Sequence, residues 1–368
     1  MGIKNSDKEN KKVAFIVSEY NEDVYYGGGE KVNSYVINEL LNRGYQIDVF
    51  ADVIHVKSQK VNLIQKDKNF DINFENIMRN YDLIFSTNIE YPSDITYSHS
   101  HSFVWKKNSC GLFFQKMFSK SNRRKYKKYL RAFENSKKIP KIVISSNIIK
   151  QDYLKNYDIP KENLFVLPPG VDYREKNVVL PQRECFNFGL VGKSFTKKGA
   201  FLTLFAVFFL KKLCENFKVK IINRDYYAKK RFAFLIDMVV NVLGIKKYIE
   251  FLPLQDNMEN FYKSIDALLV PSLKEPFGLV VTEAMIYSKP VVVGSLCGAA
   301  DLIVNNENGM VADFSQLFKI KPLMEKMFCM MNLSDEEYIS MATKGYETVK
   351  NMSYAKFAQE YVDLALRK

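Results

Sequence analysis

Short apolar runs alternate with segments of helical period through the first half of the chain. "KVAFIVSEY" (Lys12–Tyr20) is a continuous apolar run ended by a glycine cluster, as expected of a buried strand. "EKVNSYVINELLNRG" then places Val32, Val36, Leu40 and Leu41 at helical spacing and stops at Gly44, which predicts a helix. "YQIDVFAD", "YDLIFST", "DITYSHS" and "KIVISS" follow as further strand candidates. "NLFVLPPGVDYREK" brings Pro168, Pro169 and Gly170 together and reads as a linker. Beyond it the rhythm restarts with "CFNFGLVGKSF", a helix from Gly199 to about Glu215, "FKVKIINRD" and a helix from about Lys230 to Val242. "YIEFLP", "IDALLVPS" and "KPVVVGS" complete the series.

Strands that alternate with helices form βαβ units, and such units build parallel sheets. Two series joined by one linker therefore predict an α/β protein of two Rossmann-like domains, their parallel sheets facing across a ligand-binding cleft. The expected organisation is a leader (1–11), a first domain (12–172), a second domain (173–350) and a terminal helix (351–368). In that last segment Phe357, Tyr361, Leu364 and Leu366 recur at helical spacing, so it could cross back to the first domain. No repeat of the length that builds solenoids is evident.

Composition narrows the class. With 368 residues, 47% hydrophobic and 26% charged, the chain can fill two cores and is not a disordered protein. Its five cysteines lack CxxC spacing, which argues against zinc sites and disulfides and for a reducing compartment. "MGIKNSDKENKK" has no apolar core of a secretion signal; it matches a Met-Gly-x-x-x-Ser acylation outline but reads as a solvated leader. "AFLTLFAVFFL" (200–210) falls short of the ~18–20 residues needed to span a bilayer.

The formal net charge of +13 is concentrated in one place. Between Lys106 and Lys141 there are thirteen Lys and Arg against one acid, Glu134. Phe113, Phe114, Met117, Phe118, Tyr126, Tyr129, Leu130 and Phe133 recur among these cations at helical spacing. A solvated charged face is the plain reading of such a run. The interleaved aromatics favour a basic amphipathic helix on an anionic membrane or glycolipid, with Arg123, Arg124, Lys127, Lys128 and Arg131 at its centre. Nucleic acid would attract the same charges but is not the expected partner.

Many familiar catalytic signatures are absent: the G-x-x-x-x-G-K-[ST] phosphate loop, G-x-G-x-x-G, H-E-x-x-H and G-x-S-x-G. Nor is there an Asp-x-Asp pair of the kind that holds a metal against a diphosphate. Instead, "YYGGGEKV" sets Gly27 and Gly28 between the first strand and first helix, where bare amides can receive a phosphate or sugar hydroxyl. "FGLVGKSFTKKGA" puts Lys193 and Lys198 beside a strand end and a helix start, suited to neutralising a diphosphate unless they merely populate a surface loop. In "LVPSLKEPFGLVVTEAMIYSKP", Glu275 lies in a strand-to-helix loop and Glu283 about one and a half turns into the helix begun at Gly278. The first carboxylate can accept sugar hydroxyls and the second can hold a ribose. The amides of Phe277, Gly278, Leu279 and Val280 between them can face a diphosphate.

The "GGGE" turn, "GKSFTKKG", "VLPPGVD" and above all "EPFGLVVTE" resemble the retaining GT-B glycosyltransferases of family 4, also called group 1. Within that family, "LPPG", "VGKSFTKKG" and "LCGAADLI" are similar to lipopolysaccharide core glucosyltransferases. By position, the resemblance implies that Lys193, where the family has Arg, and Lys198 contact the donor diphosphate. It likewise implies Glu275 near the donor sugar, Glu283 on the ribose, and Gly27 and Gly28 as the first-domain glycine pair. A family histidine lies against the donor sugar, and either His99 or His101 in "TYSHSHSF" could serve. "KIINRDYYAKK" departs from the family, carrying Asn223, Arg224 and Asp225 where Gly-x-Gly is common.

The expected activity is hexosyl transfer with retention, from a UDP-linked sugar to a hydroxyl of a membrane-associated glycan. It would need no cofactor and no metal, and would take place on the cytoplasmic face of the cell membrane. The rival enzymatic reading is a nucleotide-sugar epimerase of the same architecture. The non-enzymatic one is a basic anion-binding protein, with steep salt dependence and no response to nucleotide sugars.

Overall fold

The computed structural model describes residues 11–21, 28–55, 58–67, 69–98, 100–101, 120–181, 184–255, 257–315 and 319–367, with backbone only at 120–126 and 129. The chain divides into two compact units, one reaching Gly170 and including the segment from Tyr354, the other spanning Val171–Ser353.

In the first unit, β1 (Lys12–Tyr20), α1 (Gly28–Asn42), β2 (Gln46–Ile54), β3 (Asn62–Gln65) and α2 (Phe70–Met78) lead to β4 (Leu83–Ser86) and β5 (Ile95–Ser98). Then come α3 (Lys120–Ser136), β6 (Ile142–Ile144), α4 (Asn147–Asn156) and β7 (Leu164–Val166). The seven strands form a sheet in the order β3-β2-β1-β4-β5-β6-β7, every pairing parallel. A strand buried on both faces is apolar at successive positions, which is why "VAFIV" of β1 shows no alternation.

The terminal helix α12 (Tyr354–Leu366) belongs to this unit and lies along α1. Tyr354 stacks on Tyr35 with ring centroids 5.2 Å apart, and Phe357 and Tyr361 meet Tyr97 at 4.9 and 5.9 Å. Arg43 donates to Asp363 at 2.6 Å across the same seam.

The second unit runs β8 (Phe186–Gly192), α5 (Ala200–Leu210), β9 (Phe217–Asn223), α6 (Arg224–Ala228), α7 (Lys230–Val242) and β10 (Ile249–Leu252). It continues with α8 (Glu259–Lys263), β11 (Ala267–Val270), α9 (Leu279–Ile286), β12 (Val291–Gly294), β13 (Met310–Ala312), α10 (Ile320–Met331) and α11 (Asp335–Val349). Its sheet is again all parallel, in the order β10-β9-β8-β11-β12-β13. The helix expected to reach Glu215 ends at Leu210, where Lys211–Leu213 close it with turn hydrogen bonds. Two parallel, helix-flanked sheets establish the expected α/β class of two Rossmann-like domains. From β8 the chain winds outward through β9 to β10, then returns to β11 on the opposite side of β8. The carboxyl ends of β8 and β11 therefore flank a topological switch point, where open α/β sheets place their ligands.

Candidate functional site

The switch point of the second unit is built from two loops. The first leaves β8 as Lys193–Gly199. Gly192, at the strand end, carries no side chain, and a Cβ there would lie 2.4 Å from Cγ of Lys198. The bare position lets the Lys198 side chain pass over the strand terminus. Gly199, the N-cap of α5, has φ +73°, and a Cβ on it would stand 2.0 Å from the Pro271 carbonyl oxygen. Only glycine meets both demands, the left-handed backbone and the close approach. The first loop is thereby pressed against the end of β11.

On its other side this loop is tied to β9. Asn223 caps α6 by accepting from the Tyr226 amide at 3.1 Å, and its Nδ2 donates to the Gly192 carbonyl at 2.8 Å. Asp225 accepts from the Phe195 amide at 3.3 Å and from the Lys229 ammonium at 2.8 Å. The Lys229 hydrogen bond is the main cause holding its carboxyl below the ordinary range. Asn223 and Asp225 of the non-family triplet thus brace the phosphate-loop candidate. Spacing alone did not point to that role.

The second loop, Pro271–Gly278, carries Glu275. Its backbone is held as a short parallel bridge to Cys297: the Glu275 amide donates to Leu296 at 3.3 Å, and the Gly298 amide donates to the Glu275 carbonyl at 3.0 Å. The Phe277 ring is buried, and its carbonyl accepts from the Ala299 amide at 2.7 Å and the Cys297 thiol at 2.9 Å. Burial pushes that thiol up to about 12. Gly278 caps α9 at φ +98°, with space for a Cβ denied by Cys297 Sγ at 2.7 Å. The first intrahelical bond joins the Val281 amide to the Gly278 carbonyl at 2.9 Å, so the amides of Gly278, Leu279 and Val280 come before the helical ladder.

The two loops meet through one ion pair, Lys198 with Glu275. Both side chains are largely shielded, at 26% and 14% exposure. Lys193 is exposed at the same strand end. Glu283 is half-buried in the second turn of α9, accepting from the Tyr262 hydroxyl at 2.6 Å. Tyr262 stacks on Tyr287 at 5.1 Å, and Arg174 donates to the Tyr287 hydroxyl at 3.0 Å. That aromatic support for Glu283 lay outside the motif. So did Ser272, whose buried hydroxyl has no hydrogen-bond partner among the described residues. The arrangement can offer cations and amide dipoles to an anion, and one carboxylate on each side to hydroxyls.

Gly27 and His99 lie outside the described residues, and Gly28 is the first residue of α1. His101 follows β5 in the first unit, its Nδ1 3.3 Å from Asp152 and its buried Nε2 without a partner among the described residues. Of the five central cations, Arg123 and Arg124 lie on α3 and Lys127 is exposed there. Lys128 and Arg131, expected to face an anionic membrane or glycolipid, instead turn inward to Glu90 at 3.1 and 2.8 Å, and Arg131 also pairs with Asp71. Glu90 is 2% exposed, and a carboxylate so buried needs cationic partners. These groups line a cavity of about 680 Å³ with Lys66 and Tyr91. Among the described residues, no three His, Cys, Asp or Glu side chains group as metal ligands, and no helix is long and apolar enough to cross a membrane.

Residues 174–332 match the family model described as glycosyl transferases group 1. Over 207 residues the chain is 25% identical to the lipopolysaccharide glucosyltransferase WaaG of Escherichia coli, covering 52% of this chain and 53% of that one. An uncharacterized glycosyltransferase of Methanocaldococcus jannaschii is 26% identical over 203 residues, 50% of this chain and 48% of the relative. The chain thus spans about half the length of the curated relatives it matches. The crystal structure of WaaG aligns over 97% of this chain and 100% of its own with TM-score 0.73 at 18% identity. The Anabaena protein Alr3699/HepE, solved in complex with UDP-glucose, aligns over 96% and 98% with TM-score 0.68 at 14% identity. The protein has the GT-B fold, and its second unit is similar to the group 1 glycosyl transferases over residues 174–332.

Proposed function

We propose that the protein is a retaining glycosyltransferase that moves a hexose from a UDP-linked donor to a hydroxyl of a membrane-associated glycan, without a metal ion. The observation that carries this reading is the Lys198–Glu275 pair at the switch point, beside the bare first turn of α9. A donor diphosphate placed there would take over the Lys198 ammonium and free Glu275 for the sugar hydroxyls. Lys193 and the amides of Gly278, Leu279 and Val280 would share the developing negative charge, which is where the largest rate contribution is expected. The acceptor oxygen bonds to the anomeric carbon on the face from which the diphosphate leaves. A phosphate oxygen takes the acceptor's proton as the carbon–oxygen bond to the diphosphate breaks.

Glu283 would hold the ribose, its carboxylate steadied by Tyr262. The family match of the second unit and the UDP-glucose bound to the Anabaena protein support the choice of donor class. The similarity to a lipopolysaccharide glucosyltransferase supports a glycolipid acceptor, with the basic helix α3 on the cytoplasmic membrane face. The test is a transfer assay with UDP-hexoses and membrane glycan extracts, with and without chelator, reading UDP release and product anomeric configuration. Chelator-insensitive formation of a product with the donor's configuration is expected. Inversion, or activity only with added metal, would refute the mechanism.

A further inference from the structure

Helix α5, "AFLTLFAVFFL", is apolar all round, although it flanks a sheet that covers only one of its sides. A helix of that composition is normally covered on every side. Here Phe205 and Phe209 are 39% and 42% exposed, and Leu213 in the closing turn 58%. These three positions are four residues apart and line one face. Helix α7 carries a second line: Phe234, Leu235, Met238 and Val242, exposed by 65%, 56%, 47% and 83%.

The two helices lie side by side. The crossovers from β8 to β9 and from β9 to β10 run in the same direction, so right-handed connections put both helices on one face of the sheet. Their first turns meet through Phe201 and Phe232, ring centroids 6.4 Å apart. Their last turns meet where Lys211 donates to the Leu243 carbonyl at 2.6 Å. The two stripes therefore lie on one face of the sheet, seven exposed apolar side chains on two neighbouring helices rather than single scattered hydrophobics.

Its rim is cationic. Residues 200–248 carry ten Lys and Arg against three acids. The acids are already engaged: Glu215 with Lys247 at 3.1 Å, Asp225 with Lys229 at 2.8 Å, and Asp237 with the Tyr226 hydroxyl at 2.8 Å. Lys212, at one end of the patch, stands 5.7 Å from the ring centre of Phe209. Lys230 and Arg231 stand at the other end of α7, and Lys246 just beyond its last turn. None of these four has an acidic partner among the described residues.

We infer that this α5–α7 face of the second unit docks on an anionic lipid surface. The apolar stripes enter the acyl boundary while the flanking ammonium and guanidinium groups stay among the headgroup phosphates, as long cationic side chains do. A second copy of the chain fits poorly. A two-fold contact sets the same patch against itself, so each cationic rim would face its own like charges. This surface is separate from the basic helix α3 of the first unit and does not depend on the transfer chemistry.

The test is flotation of the full chain with phosphatidylcholine vesicles, with and without phosphatidylglycerol. Wild type should bind only the anionic vesicles, less so as salt rises. Phe234→Glu with Val242→Glu, both at exposed positions, should keep the wild-type Tm and weaken binding by about tenfold or more. In parallel, Val242→Trp in a Trp105→Phe background should show blue-shifted emission with anionic vesicles and quenching by brominated acyl chains. Unchanged flotation of the double variant, or an emission spectrum of the Val242→Trp protein indifferent to vesicles, would overturn the inference. So would a wild-type dimer in solution that the double variant dissociates.

Discussion

Lys198 passes over the bare α-carbon of Gly192 to pair with Glu275, so one side chain joins the end of β8 to the loop that leads into α9. The pairing depends on a missing side chain as much as on the charges. Gly192→Ala would put a Cβ 2.4 Å from Lys198 Cγ and 2.8 Å from its Cβ, so the lysine and the loop that carries it must shift. The donor KM should rise about tenfold or more, because a displaced cation no longer meets the diphosphate. The urea midpoint should fall less than for a clash with backbone, because only one loop has to move. A large stability loss with unchanged KM would contradict this reading.

Gly199 predicts the opposite division. Its φ is +73°, and a Cβ added there would come within 2.0 Å of the Pro271 oxygen, a backbone atom that no side-chain movement can clear. Gly199→Ala should lose about 2–4 kcal/mol in urea unfolding, the range of a strained backbone plus a backbone clash. An unchanged midpoint would show that the loop is not pressed against β11 as described.

The thiols should separate by burial. Cys297 is fully buried, its thiol pushed up to about 12, whereas Cys329 is exposed. Iodoacetamide followed by peptide mass spectrometry should label Cys329 in the native protein and Cys297 only after unfolding, since the thiolate is the reactive species. Early native labelling of Cys297 would mean that the Phe277–Gly278 turn opens.

Buried Lys289, 6% exposed, has its ammonium pushed below the ordinary value by desolvation, with Asp266 opposing that shift. The unfolded chain then holds its proton at pH values where the folded chain has released it. Stability from this group therefore rises with pH up to the unfolded value of 10.5. Asp266 is itself pushed up by burial. Lys289→Met should abolish the alkaline rise in Tm, because it removes the buried ammonium whose titration produces it. A rise of the same size in the variant would contradict this assignment.

Both parallel sheets were legible in the sequence because strands buried on both faces, such as "VAFIV" and "ALLV", leave unbroken apolar runs. The short β3 and β7 were not, since three or four half-buried residues carry too little periodicity. At the site, Glu275, Glu283, Lys193 and Lys198 could be picked out because motif spacing is local. What shapes the site was not local. Asn223 reaches Gly192, Tyr262 reaches Glu283, and Pro271 meets Gly199, and in each case the two partners lie on different strands, helices or loops. The inward turn of Lys128 and Arg131 was hidden for the same reason, because Glu90 and Asp71 lie far earlier in the chain.

Calorimetric titration decides whether the Lys198–Glu275 switch point binds a nucleoside diphosphate. UDP, GDP and ADP are titrated into wild type and Lys198→Ala, each with and without chelator. Wild type should bind UDP regardless of chelator, and Lys198→Ala should weaken that binding about tenfold or more, as expected on losing a charge-assisted phosphate contact. Equal affinity in the two proteins, or no heat from any nucleotide with wild type, would contradict it.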